Sequence, residues 1–291
     1  MSAPMRRYKG RFVEVLRYAA FSASPEGGNP AGVVLDAGGA TEAQMQRVAA
    51  EVGYSETAFL VPEGSGSVRV RYFSPLAEVP FCGHATIASA VALAVRHGPG
   101  TLRFDTAAGA VAVRTTVDGD GLPRATLVSV APRTVALDDA DAAELLAALG
   151  WSADDLDVAL PPRVAFAGAW HPVLAAATRA RLADLDYDFP RLAALMAARE
   201  WTTVALVHRV GPHEWAARDP FPPGGVVEDP ATGAAAAAFG GYLRELGLVE
   251  PPVSLTIRQG DDLGRPSVIT VEIPAQGGIG VSGTAVRIPA A

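Results

Sequence analysis

Cysteine is nearly missing from this chain: Cys82 stands alone among 291 residues, which excludes an intrachain disulfide. Positive charge is also scarce, with 24 Lys and Arg against 31 Asp and Glu and a formal net charge of -7. The arginines are scattered and form no basic stripe, which argues against a nucleic-acid partner. No apolar run is long enough to cross a bilayer; residues 234–243 are apolar but too few. The opening MSAPMRRYKGRFVEVLRYAAF carries basic residues without the apolar stretch of a signal peptide. These absences point to a soluble, cytoplasmic protein with no membrane partner. No G-x-G-x-x-G, P-loop or G-x-S-x-G motif occurs, so neither a nucleotide nor a hydrolase elbow has support. His208 and His213 lack metal-ligand spacing and no Cys or His cluster suggests zinc, so neither cofactor nor metal is expected.

What is present suits a packed fold. Hydrophobic residues make up 49% of the chain and charged residues 19%, enough for one large domain or two of ordinary size. The segment 68–73 (VRVRYF) alternates as a strand does, and 12–18, 57–61, 125–130, 203–210 and 267–273 are similarly short and apolar. Thr41 opens a helix with Gln44 as its capping-box partner and Met45, Val48, Ala49 and Val52 on one face. Residues 138–149 form a second helix closed by Gly150, and 189–199 a third with Pro190 in its first turn.

Two further helices, at 84–95 (HATIASAVALAV) and 234–243 (AAAAAFGGYL), lack a polar face, and a helix apolar all round is buried all round. Gly240 and Gly241 each cost about 1 kcal/mol relative to Ala in a helix, which is tolerable where they let strands approach closely. The two segments also match each other. A shift of 150 residues puts Glu78 on Glu228, Pro80 on Pro230, Gly83 on Gly233, Ala85 on Ala235 and Leu93 on Leu243, and the strands that follow match with one residue more. Self-similarity at half the chain length predicts two copies of one unit. The expected architecture is α+β: two pseudo-symmetric lobes, each a curved, mostly antiparallel sheet wrapped around a central apolar helix. The first lobe is placed at 1–132 with its helix at 84–96, the second at 133–278 with its helix at 233–246, and 279–291 is a terminal strand returning to the first lobe.

In each copy a turn containing Pro and Gly leads straight into the apolar helix. Helix N-termini present unpaired N–H groups and partial positive charge, and glycine lets a ligand approach the backbone. Two such ends can hold a carboxylate, or the enolate formed when the neighbouring carbon loses a proton, against the acidic charge of the whole chain. Packing alone also explains the glycines. His84 lies where the macrodipole favours neutral imidazole, and serves equally well as a capping or core histidine. Asp229 reads as a ligand or simply as an N-terminal cap. Cys82 invites a two-thiol racemase, but its counterpart is Thr232, too weak an acid, so Cys82 reads as a small buried residue. Glu56, by pattern alone, is a solvent-facing residue at the entrance of a strand.

The segments FSASPEGGNPAGVVLD, SETAFLV, VRYFSPLAEVPFCGHAT, EDPATGA, QGDDLGRPS and GGIGVSGTAVRI stand in the order of the PhzF-like (phenazine biosynthesis) isomerase family, which the chain resembles from Phe12 to Ile288. The resemblance implies a diaminopimelate epimerase-like fold, no cofactor, a homodimer, and a small carboxylate-bearing metabolite as substrate in the cleft between the lobes. It implies that Glu56 is the catalytic acid/base that shuttles a proton between two substrate carbons. His84 and Asp229 would contact the substrate, the N–H groups of Gly83 and Gly233 would bind its carboxylate, and Asn29 would be a structural or site-lining residue near the entrance. One position departs from the pattern EDPxTGSA: Ala234 stands where Ser is expected. Three readings follow: a one-base isomerase, an epimerase or racemase with a second acid/base, and a binding protein for a small carboxylate.

Overall fold

The computed structural model describes residues 5–8, 11–63 and 67–289, the side chains of 5–8 and 11–13 excepted. The opening segment read above for a signal peptide lies partly outside them. The chain divides into two compact units, one formed by Met1–Val128 with Ser282–Ala291, the other by Ser129–Val281. Pro132 thus lies inside the second unit. The physical reason is local: the Ser129 N–H donates to the Ile279 carbonyl (2.9 Å) and the Ile279 N–H to Ser129 Oγ (2.9 Å), which ties 129–132 to that unit.

The first unit runs β1 (Met5–Tyr8), β2 (Arg11–Glu14), β3 (Leu16–Ala20), β4 (Asn29–Val34), α1 (Glu42–Val52), β5 (Glu56–Glu63), β6 (Ser67–Phe73), β7 (Glu78–Val79), α2 (Gly83–His97), β8 (Thr101–Thr106), β9 (Gly109–Val117) and β10 (Pro123–Val128). The strand expected at 12–18 is broken at Val15 into β2 and β3. Antiparallel pairs predominate, but β4 with β5 and β6 with β8 are parallel, so the sheet is mixed. The capping box forms as its residues dictate, with the Thr41 N–H donating to Gln44 Oε1 at 2.8 Å. The apolar face of α1 buries Met45, Val48 and Ala49 against Val34, Phe59 and Phe73, worth about 1.5–3 kcal/mol for each large side chain. Helix α2 contacts β3, β4, β5, β9 and β10, and a run from His84 to Ala92 is buried without interruption.

The second unit runs β11 (Arg133–Ala136), α3 (Asp139–Leu149), β12 (Arg163–Phe166), β13 (Trp170–Ala175), α4 (Arg179–Ala183), α5 (Phe189–Arg199), β14 (Ala205–Gly211), β15 (Glu214–Phe221), β16 (Val226–Asp229), α6 (Gly233–Glu245), β17 (Val253–Gln259) and β18 (Ser267–Ile273). Its sheet repeats the pattern of the first: β13 with β14 and β15 with β17 are the parallel pairs. Helix α6 contacts β11, β12, β13, β14 and β18. Gly240 and Gly241 are required by that packing. A Cβ on Gly240 would lie 2.8 Å from Val271 Cγ1, and one on Gly241 2.4 Å from Pro132 Cβ. The last strand, β19 (Gly280–Arg287), pairs antiparallel with β3 from Ala285 to Arg287. Among the described residues no helix is long and apolar enough to cross a membrane.

Candidate functional site

Glu56 is the first residue of β5, held in register opposite Ala31 of the parallel neighbour β4. One step on, Gly32 faces Thr57. A Cβ there would come within 2.5 Å of Thr57 Oγ1, so only glycine lets β4 and β5 run this close. The start of α2 is fixed by a buried chain: Thr86 Oγ1 donates to the Cys82 carbonyl (2.7 Å) and accepts from the Tyr72 hydroxyl (2.7 Å). Burial raises the Tyr72 phenol, which stays a neutral donor.

These supports bring Asn29, Ser55, Glu56, Cys82 and His84 together. His84 Nε2 lies 3.4 Å from Glu56 Oε2 and 3.4 Å from Ser55 Oγ, while Nδ1 lies 3.2 Å from Asn29 Nδ2. An Asn29 amide that donates to Nδ1 leaves the ring N–H on Nε2, the nitrogen 3.4 Å from the Glu56 carboxylate. His84 is buried, and Glu56 keeps 15% of its side chain exposed, enough for solvent or a ligand to reach it. Gly83 opens α2 at the positive end of the helix, with nothing within 4 Å of where a Cβ would stand.

Cys82 corrects the sequence reading. It is buried, as expected, but it is no mere filler: Sγ lies 3.5 Å from Glu56 Oε2 and 3.4 and 3.8 Å from the two nitrogens of His84. Glu56, Cys82 and His84 offer three ligand atoms within 4.8 Å of one another, a cluster that pairwise spacing in the sequence did not expose.

Asp229 and Gly233 belong to the second unit, and their surroundings are of another kind. Asp229 is buried and accepts from Thr232 Oγ1 at 2.7 Å. Gln259 braces the same turn, donating to the Asp229 carbonyl (2.7 Å) and accepting from the Thr232 N–H (3.1 Å). Asp229 thus orders the approach to α6. Directly across the strand pair stands Asp219, also buried. Burial, with Asp229 and Glu228 nearby, pushes the Asp219 carboxyl well above its usual range, against the hydrogen bond from Thr203 that lowers it. Thr203 Oγ1 donates to Asp219 Oδ1 (2.8 Å) and therefore accepts from His171 Nδ1 (2.9 Å). His171 Nε2 is then a bare lone pair with no hydrogen-bond partner among the described residues. Burial drives the His171 pKa down from 6.5 to about 4. Beside this chain Arg218 forms a two-pronged ion pair with Glu228, both buried, and its Nη1 donates to the Ala183 carbonyl at 2.6 Å. None of Thr203, Arg218, Asp219 or Gln259 was singled out from the sequence. The available signal was the charged doublet inside the otherwise apolar run WAARDPF.

Relatives of the chain are named as isomerases, and an isomerase is the class to which it belongs. A Deinococcus radiodurans protein named "Uncharacterized isomerase" is 40% identical over 282 residues, covering 95% of this chain and 89% of that protein. The trans-2,3-dihydro-3-hydroxyanthranilate isomerase of Pseudomonas chlororaphis is 32% identical, covering 86% of both chains. Among solved structures, the Bacillus anthracis phenazine biosynthesis protein of the PhzF family matches with a TM-score of 0.85 at 27% identity, covering 95% of this chain and 97% of that one. The model of the PhzC-PhzF family, described as phenazine biosynthesis-like protein, matches residues 18–290, and the chain belongs to this family.

Proposed function

We propose that the protein is a cofactor-independent isomerase that moves a proton on a small carboxylate-bearing metabolite, with Glu56 as the acid/base. The observation that carries this reading is the placing of His84: Asn29 on one nitrogen leaves the N–H on the other, which lies 3.4 Å from the Glu56 carboxylate. A partly exposed carboxylate with an imidazole nitrogen 3.4 Å away is suited to take a proton from one carbon and return it to another. The Gly83 N–H, in the first turn of α2, suits a substrate carboxylate or the charge that develops beside it. Asp229 and Gly233 enter the proposal through the head of α6, a second carboxylate-binding end of the same kind. The architecture belongs to the same reading: each unit is a curved sheet wrapped around its own apolar helix, as in diaminopimelate epimerase.

Cys82 favours the one-base isomerase over a racemase. Its thiol stands beside Glu56 at 3.5 Å, whereas two-base inversion needs the acid and base on opposite faces of the substrate carbon. The substrate of the Pseudomonas chlororaphis relative is the first compound to try. Ala234 lacks the serine hydroxyl, a loss that weakens binding by about 1 kcal/mol or marks a different carboxylate as the substrate.

The test is proton NMR in deuterium oxide on a pool of small cyclic and amino carboxylates that includes trans-2,3-dihydro-3-hydroxyanthranilate, with the protein and with Glu56→Gln. The expected result is loss of one C–H signal that depends on Glu56. Exchange that persists in Glu56→Gln, or no exchange across the pool, would overturn the reading.

A further inference from the structure

We infer that the Cys82 thiol is a positioning donor: it holds Oε2 of the Glu56 carboxylate and leaves Oε1 as the oxygen that takes and returns the proton. The inference rests on the isomerase reading above and deepens it by naming the reacting atom. Both polar contacts of the Glu56 side chain fall on one oxygen. Cys82 Sγ donates to Oε2 at 3.5 Å, and His84 Nε2 lies 3.4 Å from the same atom. Among the described residues no hydrogen bond or ion pair reaches Oε1, and 15% of the side chain stays open to solvent. The last torsion of a glutamate is broad and roughly two-fold, so a carboxylate swivels unless one of its oxygens is held. Holding Oε2 fixes the direction in which Oε1 presents its lone pairs, as a base that serves two carbons of one substrate requires.

The place of the thiol in the chain supports this role. Cys82 is the N-cap of α2, a position where Ser, Thr, Asp or Asn would turn a side-chain oxygen back onto the first N–H groups of the helix. Its side chain makes no such bond, and the thiol donates to Glu56 instead. The backbone beneath it is fixed, since the Cys82 carbonyl accepts from Thr86 Oγ1 at 2.7 Å and from the Thr86 N–H at 3.0 Å. The second unit repeats the arrangement within itself. Thr232, the counterpart of Cys82 under the shift of 150, is the N-cap of α6, also makes no side-chain cap bond, and donates to Asp229 Oδ2 at 2.7 Å. In each unit, then, the N-cap side chain of the core helix turns from the helix to one oxygen of a carboxylate. Packing alone does not call for the same exchange twice. A thiol is a weak donor, so it orients the Glu56 carboxylate without binding it as tightly as a charged partner would.

The first test needs no substrate. Cys82 is the single cysteine of the full chain, so the protein has one S–H stretching band, in an infrared window clear of its other groups. The expected band is that of a hydrogen-bonded thiol, and it should move to higher wavenumber in Glu56→Ala, where the acceptor is gone. A band that stays in place in Glu56→Ala and moves in His84→Gln would put the thiol on the imidazole, whose Nδ1 lies 3.4 Å away, and would overturn the inference. So would the absence of any S–H band, which marks an ionised thiol. The second test is the rate of substrate proton exchange in deuterium oxide. Cys82→Ala should lower kcat by about 10-fold with KM changed by less than about 2-fold, and Cys82→Ser, which keeps a donor on a shorter bond, should recover part of the loss. Full kcat in Cys82→Ala, or Cys82→Ser no better than Cys82→Ala, would overturn the positioning role, with far-ultraviolet circular dichroism establishing that each variant is folded. Exchange missing from the unmutated protein as well would defeat the isomerase reading, and the thiol band would then decide alone whether Cys82 holds Glu56.

Discussion

Glu56 and Thr203 occupy the same place in the two units. One constant shift carries α1 onto α5 residue for residue, Arg71 of β6 onto Arg218 of β15, and Glu56 onto Thr203. Register agrees with the shift. Thr57 pairs with Phe73, two residues after Arg71, and the Val204 N–H donates to Pro220, two residues after Arg218. Around that shared position the chemistry diverges. In the first unit it holds a partly exposed carboxylate beside a thiol and an imidazole, all at the head of a buried helix. In the second it holds a hydroxyl sealed between Asp219 and His171, with nothing left to react. The Arg and Glu that follow are also shared: Arg71 pairs with Glu78 as Arg218 does with Glu228, but the first pair is about a quarter to a third exposed and the second is nearly closed off from water. A duplicated scaffold therefore keeps its hydrogen-bond topology while one copy leaves these polar groups partly exposed and the other buries them in its own interior.

The largest expected effect separates the two equivalent positions. Glu56→Gln should cut substrate proton exchange by about 10²- to 10⁴-fold with little change in the urea midpoint. Thr203→Val should do the reverse, leaving exchange in place while costing about 1–3 kcal/mol in the same unfolding assay, because Asp219 and His171 each lose a partner. Equal loss of exchange in both variants would break the comparison.

The two ion pairs sharpen it next. Arg218→Ala should destabilise by about 3–5 kcal/mol, since Glu228 is left charged and buried. Arg71→Ala should cost about 1 kcal/mol or less, since water and salt already screen that pair. Chemical denaturation of both variants measures the difference.

His171 should give a pH signature to the second unit. Its ring is neutral in the fold down to about pH 4, whereas in the unfolded chain it takes a proton near 6.5. Its contribution is full above pH 6.5 and is lost progressively as the pH falls to about 4, a total of about 3 kcal/mol. Asp219, raised by burial, acts with the opposite sign, so the readout is the difference in stability between the protein and His171→Gln across that interval. A difference that does not vary with pH would place His171 outside this account.

The smallest effect concerns Ala234, which the sequence repeat sets opposite His84. Ala234→Ser adds a hydroxyl in the first turn of α6 and should tighten carboxylate binding by about 1 kcal/mol, roughly 5-fold, read by calorimetry. Unchanged or weaker binding would mean that this helix end does not meet the carboxylate.

Much of the scaffold was legible because it rests on short-range rules. The period of 68–73, the capping box at Thr41, Gly150 as a C-cap and the all-apolar helices each follow from the chemistry of neighbouring residues. Glycines 240 and 241 could be read as close-contact positions because nothing else explains two glycines in a buried helix. The site was legible only through its motifs. SET, CGHAT and EDPATG named Glu56, His84 and Asp229, but pattern alone would have left Glu56 facing solvent. The Arg–Glu pairs, the Asp219–Thr203–His171 chain and the role of Cys82 escaped, because each depends on which strand lies beside which.

Composition, helix periodicity and the internal repeat thus account for two units of one plan and for a buried helix in each, while family membership was carried by the motifs. They act through local propensity and through burial of apolar surface, both written residue by residue along the chain. Whether Cys82 meets Glu56 or merely fills space, and which of two equivalent Arg–Glu pairs is dry, were settled by strand register and depth. Register brings residues 26 and 29 positions apart into contact at Cys82 and at Ser55, and depth sets how much water each charge keeps. Those quantities exist only once the chain has folded.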